Sequence, residues 1–191
     1  MEKRQSFQLD DREAAARSAS GAQIRNGYLQ IVLNGGFAFE TGAILAHETL
    51  HMTLSHLPML LWIEEGLAQM FEHDMVERNV ILIDEEMASE RKRFWKKHTL
   101  NDFWHGEGFF KAGKMQNLSY QLAEILTRLL IEEHRPRWFG FVKEPQRRFF
   151  AFLRNAEIRD CGSESAKAHL GMSLSDIASR FLGPGEWEPS L

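Results

Sequence analysis

A helix-rich α+β domain with a small sheet near its N-terminal end is the fold class this sequence predicts, on three observations. Apolar residues recur at three- and four-residue intervals over most of the chain after residue 40. An aromatic and β-branched run, Tyr28 to Leu33 (YLQIVL), precedes them. Turn and breaker residues mark the boundaries, at Asn26-Gly27, Asn34-Gly35-Gly36, Pro58, Pro136 and Gly183-Pro184.

Taken in order, residues 1 to 20 are polar, Ala/Ser-rich and weakly periodic, and read as a flexible N-terminal arm; residues 21–191 read as one domain. Ala22 to Leu33 makes one or two short strands, with Asn26-Gly27 as a turn. Glu40 to about Leu54 is a helix that ends ahead of Pro58, which restricts the residue before it. A second helix runs from Leu60 to about His73. Asn79 to Asp84 (NVILID) suits a strand or a buried helix, and its length does not decide. Glu85 to Lys97 is a charged helix. Asn117 to Glu133 is amphipathic, with Leu118, Leu122, Ile125, Leu126, Leu129 and Leu130 on one broad face, and Pro136 stops it. Pro145 to Asn155 is a helix with proline in its first turn. The last helix, Ser173 to Leu182, starts on a cap-like Ser173-x-x-Asp176 and stops at Gly183-Pro184. Aromatic pairs such as Phe103-Trp104, Phe109-Phe110, Trp138-Phe139 and Phe149-Phe150 suit helix packing.

Composition narrows the function classes. With 43% hydrophobic and 26% charged residues the chain has ordinary globular proportions, and a net charge of −4 provides no general field for nucleic acid or anionic lipid. The basic run Arg91-Lys92-Arg93 with Lys96-Lys97 follows Asp84-Glu85-Glu86 and reads as a solvated helix face. A single cysteine, Cys161, admits no internal disulfide. The apolar stretch Leu57 to Ile63 contains Pro58 and is too short to span a bilayer, and the residues after Met1 carry no apolar leader. The expectation is a cytoplasmic protein that binds neither membrane nor nucleic acid.

One segment carries chemistry. His47-Glu48-Thr49-Leu50-His51 fits H-E-x-x-H. On a helix, residues four apart share a face, so both imidazoles address one metal ion, while Glu48 projects to the side, where it takes a proton from water. Zinc lowers the pKa of a coordinated water towards about 7, within reach of such a base. A catalytic zinc also wants a third protein ligand, commonly a glutamate, and the turn at Pro58 brings the segment Trp62-Ile63-Glu64-Glu65-Gly66-Leu67-Ala68 back towards it. Without that second segment, the pattern reduces to two surface histidines flanking a glutamate.

HETLH followed by P-x-x-x-W-I-E-E-G-L-A resembles the gluzincin zinc metallopeptidases, most closely the short peptidase MA-like domains. The resemblance implies a zincin-like fold, one Zn2+ per chain held by His47, His51 and Glu65 (the glutamate directly before glycine), Glu48 as general base, and a peptide or protein substrate. It is strong over residues 43–72 and extends loosely to Leu118-Ser119-Tyr120-Gln121-Leu122-Ala123 and Gly171-Met172-Ser173-Leu174-Ser175-Asp176. A metzincin-like continuation requires Gly at 54 and His at 57, and both are Leu; His56 is off that spacing and reads as a helix-end histidine.

The same resemblance asks for an oxyanion donor downstream of the ligands. Tyr120 is the candidate, with His134 and His169 in reserve; the alternative is a tyrosine packed at a helix start with its hydroxyl in water. Gln69 stands one turn after Glu65, where thermolysin-like enzymes place an aspartate that supports a ligand histidine. Glu64 and His73 read as edge residues and not as ligands. Substrate pairing along Leu29 to Asn34, beside Gly35-Gly36, is set against an ordinary strand and turn. The small size implies an open cleft or a partner chain that completes it. Two other readings compete with a peptidase: a non-hydrolytic zincin-like module that binds a protein segment, and a helical domain with an accidental motif.

Overall fold

The computed structural model describes residues 21–25, 28–32, 38–75, 89, 92–134 and 144–190. Two strands, β1 (Gly21–Arg25) and β2 (Tyr28–Val32), pair antiparallel from Gly21 opposite Val32 to Arg25 opposite Tyr28. Helices follow: α1 (Ala38–Leu54), α2 (Leu61–Met75), α3 (Lys97–Trp104), α4 (Lys114–Glu133), α5 (Glu144–Asn155) and α6 (Leu174–Leu182). A 3-10 turn, Glu107–Phe110, joins α3 to α4, and short helical turns between Ile158 and Leu170 join α5 to α6.

This corrects the expected fold class. Of the residues whose side chains are described, 76% are helical and 1% lie in a strand, so the protein is mostly helical and not α+β. The reason is physical. A β-prone run contributes a layer only where further strands extend the sheet, and an isolated two-stranded hairpin is marginal on its own. The described core is instead formed by helices packing on one another. The arm at residues 1–20, Asn79 to Asp84, residues 85–88, 90 and 91 of the expected charged helix, and Trp138-Phe139 lie outside the described residues.

The helix α2 is central, packed against α1 on one side and α4 on the other. Its Trp62, Ile63, Glu65, Gly66 and Ala68 are all buried. Trp62 is fully enclosed, with ring centroids 5.2 Å from Trp104, 6.4 Å from Phe103 and 6.5 Å from Phe152. Burying an aromatic ring of roughly 200 Å² is worth at most about 5 kcal/mol, so this anchor fixes the start of α2 firmly. Phe103 and Trp104 are both core, whereas Phe109-Phe110 and Phe149-Phe150 each divide, with Phe109 and Phe149 buried and Phe110 and Phe150 exposed.

Several boundaries move outward from their expected places. Helix α4 begins at Lys114 because the nearest breaker is Gly113, at φ 97°, and nothing in Lys114-Met115-Gln116 stops the helix from propagating back. Helix α2 runs to Met75 for the same lack of a stop. The α6 start matches its signature: Ser173 Oγ accepts from the Asp176 amide, and the Asp176 carboxylate accepts from the Ser173 amide. Among the described residues no helix is long and apolar enough to cross a membrane.

Candidate metal centre

The helices α1 and α2 form a hairpin around Pro58, and this brings three ligand-type atoms together. His47 Nε2 and His51 Nε2 lie 3.0 Å apart, and Glu65 Oε2 is 3.5 Å from the first and 3.2 Å from the second. Tetrahedral zinc with bonds of about 2.0–2.1 Å spaces its ligand atoms by about 3.3 Å, so the triangle fits that ion without rearrangement. Glu65 is 6% exposed, and its Oε2 lies within ion-pair distance of both imidazoles yet accepts no well-directed hydrogen bond. In the ion-free chain the two imidazoles offset that buried charge, a part that a bound cation would take over. The donor set suits a cation.

The other nitrogen of each imidazole is also occupied. His51 Nδ1 is 2.9 Å from Glu64 Oε1, and His47 Nδ1 is 3.1 Å from Glu72 Oε2. The Gln69 amide nitrogen lies 3.3 Å from both His47 Nδ1 and Glu72 Oε2, and donates to the carboxylate. The support of a ligand histidine that the sequence placed at Gln69 falls instead to Glu72, which meets His47, with the Gln69 amide donating to that carboxylate. Sequence reasoning passed over Glu72 and gave Glu64 no part. The signal for Glu72 was its place two helical turns after Glu65, on the same face of α2.

Glu48 is buried at 9% exposure on α1, between His47 and His51 in sequence. Tyr120, from α4, stands with its ring 6.5 Å from that of His47 and 5.3 Å from that of Phe109, edge-on to each. It is half-buried and beside the centre, so the structure brings it to the constellation. The reserves are engaged elsewhere. His134 Nδ1 donates to the Leu130 carbonyl at 2.8 Å and its ring stacks on Phe149, while His169 lies on the turns before α6. His56 is exposed beyond the end of α1. His73 Nδ1 contacts the buried Glu124 carboxylate at 2.9 Å, which Arg128 also binds.

The carboxylates dominate the electrostatics. Burial pushes both imidazoles towards neutrality, but Glu65 and Glu72 hold His47 up at about 9, and Glu64 and Glu65 hold His51 up at about 10. Burial pushes Glu65 up, and the two histidines overcome it and bring the carboxyl down to about 2. The sign follows. In the ion-free protein the raised histidines contribute stability that is complete below about 6.5 and is lost as pH rises through about 9 to 10. Zinc needs both imidazoles neutral, so its affinity changes in the opposite sense. The gain in melting temperature from zinc should therefore widen steadily between pH 6.5 and about 9, measured by thermal scans with zinc and with chelator. A gain that shrinks over that range would contradict these assignments.

No protein-family model, curated protein or solved structure gives a significant match to this chain.

Proposed function

We propose that this chain is a zinc-dependent peptidase of the gluzincin type, with His47, His51 and Glu65 as ligands, Glu48 as general base and Tyr120 as oxyanion donor. The observation that carries the reading is the convergence of His47 Nε2, His51 Nε2 and Glu65 Oε2 at zinc-ligand spacing. Zinc bound there would acidify water and polarise a scissile carbonyl. Glu48 accepts the proton released as water adds to the carbonyl carbon and returns it to the leaving amine. The Tyr120 hydroxyl donates to the oxygen that gains negative charge. The substrate class is a peptide or protein segment. The setting is cytoplasmic, since one cysteine, buried and free, fits a reducing compartment.

The test is turnover of a mixed peptide library by the purified protein. Hydrolysis should vanish with a chelator and return on adding about one equivalent of zinc. Zinc-loaded protein that cleaves no peptide would sink the peptidase reading in favour of a non-hydrolytic module that binds a protein segment.

A further inference from the structure

We propose that Glu64 and Glu72 are positioning residues for the metal, each holding one ligand histidine by Nδ1 so that its Nε2 faces the ion. The proposal rests on the zinc reading of His47, His51 and Glu65. A histidine can ligate through Nε2 only when that nitrogen is free of its proton, and an acceptor at Nδ1 fixes that tautomer and the ring orientation together. Both rings have such an acceptor, at 2.9 Å for His51 and 3.1 Å for His47. Both acceptors are carboxylates, which also raise the basicity of the imidazoles as ligands.

The arrangement gives consecutive residues of α2 different tasks. Glu65 points inward and is buried, whereas Glu64 is turned about 100° around the helix and reaches the outer nitrogen of His51. Glu72, seven residues beyond Glu65, reaches back to His47, and the Gln69 amide donates to it from the intervening turn. The doubled glutamate of Trp62-Ile63-Glu64-Glu65-Gly66 thus supplies one ligand and one support, and Gln69 together with Glu72 takes the place of a carboxylate four residues after the ligand.

The rival account is that these contacts only tie α1 to α2, and the two accounts predict different readouts. Zinc affinity is measured by competition with a chromophoric chelator, site geometry by the visible absorption of the cobalt(II)-loaded protein, and folding by the melting temperature of the zinc-free protein. Glu64→Ala and Glu72→Ala should each weaken zinc binding by about 10- to 100-fold and alter the cobalt spectrum. Glu64→Gln and Glu72→Gln retain an oxygen that accepts the N–H, and should recover most of the cobalt spectrum and part of the affinity. Alanine variants that bind zinc within about twofold of the parent, with its cobalt spectrum, overturn the proposal. Should an alanine variant fail to fold, Glu64→Met and Glu72→Met, which keep the bulk but offer no oxygen acceptor, decide, since parental zinc affinity and cobalt spectrum in both would overturn the proposal. An unsubstituted protein that binds neither metal overturns the zinc reading as well, which separates the two failures.

Discussion

Glu48→Gln should leave zinc content unchanged and lower peptide hydrolysis by about 10²- to 10⁴-fold, the contribution typical of a positioned general base. Glutamine matches glutamate in shape, so the buried site on α1 is not asked to repack, and the flanking histidines keep their contacts with Glu64, Glu65 and Glu72. What the amide loses is the ability to take a proton. The two-part result is diagnostic, because damage to the metal centre would lower zinc content and turnover together. Metal analysis and peptide turnover on one preparation check it, and a variant with full activity would remove Glu48 from the mechanism.

Gly66→Ala should destabilise the protein by about 3 kcal/mol or more and take part of the zinc affinity with it. On an exposed helix this substitution is favourable by nearly 1 kcal/mol. Here a Cβ on Gly66 would lie 2.2 Å from Thr127 Oγ1 and 2.5 Å from the Ala123 carbonyl oxygen. Thr127 can rotate away; a helix backbone cannot. Helices α2 and α4 would have to separate, and Glu65, the adjacent residue, would move with α2. For a domain of this size the loss corresponds to a melting temperature lower by about 6–12 °C. A variant as stable as the parent would mean that the two helices pack less closely at this point.

The centre was legible in the sequence to the extent that its residues are local. His47 and His51 share a helix, and Glu65 follows after one turn, so helical spacing and a proline stop suffice to bring them together. Fixing Glu65, and not Glu64, as the ligand required the resemblance, since both can reach back from the second helix. Tyr120 was also reached by resemblance, because its approach to His47 depends on how α4 packs and not on any local period. Glu72 was missed for a related reason: its role depends on a long side chain reaching back along the helix, which spacing rules treat as a second, separate turn. Sheet content was over-read from Tyr28 to Leu33, because a β-prone run reports local preference and says nothing about whether further strands exist to pair with it. The capping signature at Ser173 and Asp176 was read correctly because cap chemistry is complete within four residues.

The hairpin of α1 and α2 also bears on how far zinc can act as a folding switch. From His47 to Glu65 the ligands span only eighteen positions. Closing so short a loop in the denatured chain costs about 1.5 kcal/mol less than closing one of roughly a hundred residues. The unfolded polypeptide therefore retains a chelating sequence of its own. Because stabilisation by a bound ion depends on the difference between native and denatured affinities, part of the binding free energy does not appear as added stability. For a chain that binds zinc at this centre, the same locality would let the metal engage before α4 docks, without waiting for a finished pocket.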